Sequence, residues 1–87
     1  MTIPEKIYQK IANRQHLTKG ERVAKMTADA ARCKAPDKQK ETYDETIREI
    51  LKQPERFKLT KDDIAILKTA RWEEWPKQKV SRRSLGL

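Results

Sequence analysis

The residues best suited to chemistry in this chain are lysines and arginines at helical spacing near the amino terminus. Lys6, Lys10 and Arg14 recur every four residues, so on a helix they form one row of cations about 6 Å apart. Such a row can lie along the phosphates of a nucleic acid. It is also typical of a solvated helix edge whose lysine stems cover apolar neighbours. The spacing alone leaves both interpretations open.

The charge distribution favours a polyanionic partner. Residues 1–35 carry eight basic and three acidic side chains, residues 36–75 carry nine and ten, and residues 76–87 carry four and none. Basic ends around a balanced middle are expected of a protein that binds nucleic acid. We predict phosphate contacts from the cations at both ends. These are Lys6, Lys10, Arg14, Lys19, Arg22, Lys25, Arg32, Lys77, Lys79, Arg82 and Arg83.

Residue patterns typical of catalysis or metal binding are missing from the sequence. His16 and Cys33 are the only residues of their types, and the carboxylates around Asp44 alternate with cations such as Lys40 and Arg48. We find no phosphate-binding loop, dinucleotide fingerprint, zinc-protease, calcium-loop or nucleophile-elbow pattern. We therefore expect no enzyme, no cofactor and no metal site. His16 is expected in a loop. Cys33 is expected in the core as a small apolar residue, on the same buried side of the second helix as Val23, Met26 and Ala30.

The elements that position these residues are predicted to be helices. Apolar residues recur with a period near 3.6 in four segments, and none alternates as a strand would. Thr2, Thr18 and Thr60 each precede an acidic residue by three positions, the pattern of a helix-starting capping box. The predicted fold is an all-α bundle of about four helices. They lie near residues 3–14, 19–34, 37–52 and 60–75.

The fourth segment is predicted to be the central helix, because it holds the densest run of large apolar residues. Ile64, Leu67, Trp72 and Trp75 follow its start at Thr60. Trp72 and Trp75 are predicted as core anchors. As an alternative, exposed indole rings would dock on a partner protein.

Length and composition predict one domain and a tail. Residues 1–76 carry the apolar periodicity, and residues 77–87 read as a flexible basic tail. A single cysteine and no signal or membrane-spanning pattern predict an intracellular, cytoplasmic protein that does not insert in membranes. So small a core is also compatible with a homodimer.

These observations lead to two functional hypotheses. The first is a small non-enzymatic protein that binds DNA or RNA and acts as a regulatory or accessory factor. The alternative is a helical adaptor or inhibitor that docks on a larger protein, for example a nucleic-acid-processing complex, and uses its basic charge against an acidic patch.

Overall fold

The computed structural model describes residues 1–76, and within them every regular element is helical. The predicted all-α fold is therefore confirmed. The predicted tail, residues 77–87, lies outside the described residues. The α-helices are α1 (Ile3–Ala12), α2 (Lys19–Arg32), α3 (Pro36–Lys52) and α4 (Lys61–Thr69). Two single 3-10 turns follow α3 and α4, at Pro54–Phe57 and Trp72–Glu74.

All three predicted threonines cap their helices, but the predicted capping box is complete only at Thr18 and Thr60. The hydroxyl of Thr2 accepts a hydrogen bond from the backbone N–H of Glu5. Thr18 and Thr60 complete reciprocal capping boxes, in which the acidic residue three positions on also accepts from the backbone N–H of the threonine. Each cap satisfies backbone donors that a helix start leaves unpaired.

The fourth helix is shorter than predicted. It ends at Thr69 instead of continuing to residue 75, and Ala70 and Arg71 are extended (ψ 111° and 147°). The last helical hydrogen bond runs from the N–H of Ala70 to the carbonyl of Ile66 at 2.9 Å. The chain then turns back across α3, which brings both indole rings onto Tyr43 at centroid distances of 5.6 and 6.1 Å.

The central helix is α2, and the prediction that residues 60–75 would fill this role is wrong. α2 packs against each of the other three helices. Its buried side consists of small residues and one buried carboxylate, so the neighbouring helices can approach closely. These buried residues are Gly20, Glu21, Ala24, Thr27, Ala28 and Ala31.

The buried stripe of α2 is also rotated from the one that hydrophobicity predicts. Met26 and Cys33, expected in the core, are exposed, Met26 by 65%. The bulk of the core comes instead from the neighbouring elements, which place large side chains over the small ones of α2. They are Ile7 of α1, Tyr43 and Ile47 of α3, Leu67 of α4, and Trp75.

Trp75 is a core residue, with only 3% of its surface exposed. Its ring meets the edges of Tyr8 and Tyr43 at centroid distances of 6.0 and 6.1 Å, an arrangement that aromatic pairs favour. Trp72 is half-buried against Tyr43. The ring of Trp75 is therefore not available as a docking anchor for a partner protein.

We predict that Ala28→Leu will destabilise the fold, because the fully buried Ala28 leaves no room for three more carbon atoms. The expected loss in the free energy of unfolding is about 1–3 kcal/mol. Ala30→Leu on the exposed side of the same helix should change it by no more than about 0.5 kcal/mol. Urea denaturation of both variants checks this, and equal effects would contradict the assigned packing.

Candidate nucleic-acid interface

The turn between α1 and α2 is built around Arg14 in the left-handed conformation (φ 56°). The N–H of Arg14 donates to the carbonyl of Ile11 at 3.0 Å, and the N–H of Gln15 donates to that of Lys10 at 2.8 Å. This pair of bonds is the Schellman motif, which usually has glycine at the left-handed position. Arginine is therefore held here at a cost in backbone strain.

Glu21 fastens this turn to the start of α2. Glu21 is only 4% exposed. Its Oε1 accepts hydrogen bonds from Lys10 Nζ at 2.7 Å and from the N–H of Thr18 at 3.0 Å. Burial alone would raise the pKa of Glu21, but these hydrogen bonds and the charge of Lys10 outweigh it and lower the pKa below 4.5. The carboxylate is thus ionised and directed inward at neutral pH.

Asp63 has the same position in α4 that Glu21 has in α2. Its Oδ2 accepts from the N–H of Thr60 at 3.1 Å, and its Oδ1 accepts from the N–H of Gly20 at 3.0 Å. The second bond joins the starts of α2 and α4. Backbone hydrogen bonding, chiefly from Thr60, lowers the pKa of Asp63 below 3.8 in spite of burial.

Four of the predicted cations are exposed and have no carboxylate within 4.0 Å among residues 1–76. They are Lys6, Arg14, Lys19 and Arg22. Arg14, Lys19 and Arg22 flank the Thr18 cap, and we call these three residues the α2-start surface. The carboxylates of Glu21 and Asp63 accept internal hydrogen bonds, whereas Asp62, at the start of α4, is exposed. Positive charge at this surface therefore faces solvent without a partner carboxylate.

Two other predicted contact residues are engaged in ion pairs. Lys10 pairs with the buried Glu21 at 2.7 Å, and Lys25 pairs with Asp29 at 2.6 Å. If Lys10 turned away to contact a phosphate, the buried carboxylate of Glu21 would lose its counter-charge, which is unfavourable. We assign Lys10 a structural role, and Lys25 at most a weak contribution to phosphate binding.

Arg32 is held by contacts within the fold and is not a free surface cation. Its side chain is 12% exposed and lies 3.5 Å from the carboxylate of Asp29. Its guanidinium donates to the hydroxyl of Tyr8 at 3.0 Å and to the carbonyl of Pro76 at 2.7 Å. Arg32 thus ties α1 and the segment after Trp75 to α2. We leave it out of the proposed interface.

The rest of the described surface has mixed charge. The outward face of α3 exposes Glu41, Glu45 and Glu49. Lys40, which helical spacing would pair with Asp44, instead reaches Glu73 at 2.6 Å. Exposed cations without a carboxylate within 4.0 Å also occur elsewhere among residues 1–76; they are Lys34, Lys38, Arg48, Arg56, Lys58, Lys61, Lys68 and Arg71. The predicted contacts Lys77, Lys79, Arg82 and Arg83 lie outside the described residues.

Comparison with known proteins adds no assignment. No protein-family model, curated protein or solved structure matches the chain. Within residues 1–76, none of the helices has the length and apolar character that a membrane crossing requires.

Sequence reasoning omitted Lys61 from the candidate cations. It is the first residue of α4 and is exposed. A signal was present in the sequence, because Thr18–Glu21 and Thr60–Asp63 both read threonine, lysine, any residue, acid. That repetition places a lysine at the first position of each helix, but only the fold shows that the two helix starts adjoin.

We predict that the free energy of unfolding falls in acid because of Glu21 and Asp63. Both folded pKa values are depressed, so the stabilisation is complete above the ordinary values of 4.5 and 3.8 and is lost as pH falls through the lower folded values. Urea denaturation between about pH 7 and pH 3 measures this. Asp63→Asn should reduce the acid dependence, and an unchanged slope in that variant would contradict the assignment.

Proposed function

We propose that this protein binds DNA or RNA through phosphate contacts made by the α2-start surface, as a non-enzymatic accessory or regulatory factor. The observation that supports it most strongly is the arrangement of charge around Thr18. Arg14, Lys19 and Arg22 face solvent, whereas Glu21 and Asp63 face inward. A nucleic-acid backbone would meet cations there without displacing an internal ion pair.

The proposed binding is mainly independent of sequence. Lysine and arginine that neutralise phosphates release condensed counterions, so affinity depends steeply on salt. Contacts of this kind position a protein on nucleic acid but do not by themselves distinguish bases. Lys6 extends the proposed contacts along α1, one turn before Lys10. The four cations of residues 77–87 remain part of the proposal as a second set of phosphate contacts.

One observation favours the alternative, a protein-binding adaptor. Met26 is 65% exposed on α2, and the exposed Ala30 and Cys33 continue the same side of the helix. Methionine is common at adaptable binding surfaces. Under this alternative Met26→Gln would weaken capture of a protein partner, whereas under the leading proposal it should leave nucleic-acid affinity unchanged.

The first functional prediction concerns salt dependence. The slope of log affinity against log salt should become less negative by about 1.8 for duplex DNA in the double variant Lys19→Gln, Arg22→Gln, because two phosphate contacts are lost at about 0.9 each. Fluorescence anisotropy with a random-sequence duplex measures the slope. The same titration on single-stranded RNA compares the two classes of nucleic acid.

Arg48→Gln is the matched control. Arg48 is also an exposed helical arginine, but it lies on α3 between the acidic residues Glu45 and Glu49. Its substitution should leave the slope unchanged. Equal effects of Arg48→Gln and Arg22→Gln would show that net charge, and not the α2-start surface, governs binding. If the full-length protein binds neither DNA nor RNA at low salt, the proposal is wrong.

The second functional prediction separates stability from binding at Arg14. Glycine adopts the left-handed conformation without steric cost, so Arg14→Gly should raise the free energy of unfolding by roughly 1 kcal/mol. The same variant should bind nucleic acid more weakly, because one phosphate contact is lost. Arg14→Lys should retain binding. A more stable variant with undiminished affinity would remove Arg14 from the interface.

A further inference from the structure

We infer that the nucleic-acid interface continues onto α4 through Lys61, and that the contact between Gly20 and Asp63 sets the spacing between Lys61 and Lys19. The inference rests on the proposed function and extends it to a helix that the sequence pattern did not implicate. It assigns Lys61 as a further phosphate contact and Gly20 and Asp63 as positioning residues.

The contact between the two helix starts is unusually close. A Cβ added to Gly20 would lie 2.7 Å from Asp63 Cα and 2.9 Å from its carbonyl oxygen, distances that backbone atoms do not tolerate. The N–H of Gly20 donates to Asp63 Oδ1 at 3.0 Å in a buried setting. Glycine at this position therefore allows the backbones to meet and the hydrogen bond to form.

This contact limits how far apart the two lysines can be. Lys19 is one residue from Gly20, and Lys61 is two residues from Asp63. With about 3.8 Å between successive Cα atoms, the Cα atoms of Lys19 and Lys61 lie within roughly 16 Å of each other. The positive charge of Lys19 also contributes to the lowered pKa of Asp63, which places that charge near the start of α4.

Both lysines can reach the same strand of phosphates. Each is exposed and is the first residue of its helix. Each flexible side chain adds several ångströms of reach, so the pair can span neighbouring phosphates on one partner. Because the two helices are joined by a buried hydrogen bond, the spacing is a property of the fold.

One carboxylate opposes this arrangement. Asp62 is exposed directly after Lys61, and it would repel a phosphate bound there. If Lys61 contacts nucleic acid, Asp62→Asn should therefore strengthen binding. Lys61→Gln is expected to lower the affinity for nucleic acid and Asp62→Asn to raise it. A general loss of folding would not change the affinity in opposite directions.

The test measures anisotropy of the full chain with a labelled random-sequence DNA duplex across a salt series. Lys61→Gln should flatten the log–log salt slope by about 0.9, the change also expected of Lys19→Gln. Lys38→Gln is the control, since Lys38 is also exposed in the first turn of its helix but lies on α3, whose start follows the far end of α2. Equal slopes for Lys61→Gln and Lys38→Gln would overturn the inference.

The positioning role is tested by combining substitutions. In the Gly20→Ala background, the effect of Lys61→Gln should shrink, while that of Arg22→Gln should remain. Asp63→Ala removes the hydrogen bond to Gly20 and the cap on α4 without a steric clash, and it should also shrink the Lys61 effect if Gly20→Ala does not fold. A full Lys61 effect in the Asp63→Ala background would overturn the spacing role.

Failure of this inference is distinguishable from failure of the proposed function. If Lys19→Gln and Arg22→Gln weaken binding but Lys61→Gln does not, the interface ends at α2 and the proposed function stands. If the unmodified chain binds neither DNA nor RNA at low salt, both fall. Binding only to an acidic polypeptide such as polyglutamate would also overturn both and favour the adaptor.

Discussion

The fold depends on the close approach of α2 to its three neighbours. Gly20, Ala24, Ala28 and Ala31 present little bulk, so the helices around them come near enough for buried backbone and side-chain contacts. The large residues that fill the space belong to the other elements. A core built in this way is sensitive to added volume on α2, because every neighbour is packed against the same narrow face.

The same close approach organises the electrostatics. Bringing the starts of α2 and α4 together would bury several unpaired N–H groups, and Glu21 and Asp63 satisfy them. The two carboxylates therefore accept hydrogen bonds within the fold, and the side chains of the neighbouring lysines and arginines face solvent. The exposed side chains at this surface are those of cations, whereas Glu21 and Asp63 are ionised and point inward.

Local signals in the sequence predicted the helix count and the starts of α1, α2 and α4, because a capping box involves residues only three positions apart. The prediction failed where distant residues decide. α4 ends early so that Trp75 can pack on Tyr8 and Tyr43. Met26 and Cys33 are exposed because α2 buries its smaller side chains instead of its more hydrophobic ones.

The candidate interface was predictable in part for the same reason. Charge counting identified Arg14, Lys19 and Arg22, but it could not distinguish them from Arg32, whose partners Tyr8 and Pro76 are 24 and 44 residues away. Nor could it place Lys61 beside Lys19. The sequence identifies the cations, and the fold decides which of them are exposed and which are held in internal contacts.

The link between Gly20 and Asp63 also bears on how the chain folds during synthesis. The two residues are 43 positions apart, so the start of α2 acquires this partner only after residue 63 has left the ribosome. α1 and α3 are made earlier, and they already supply Ile7, Tyr43 and Ile47 to cover the small residues of α2. The contact between the starts of α2 and α4 is therefore expected to be among the last parts of the core to form.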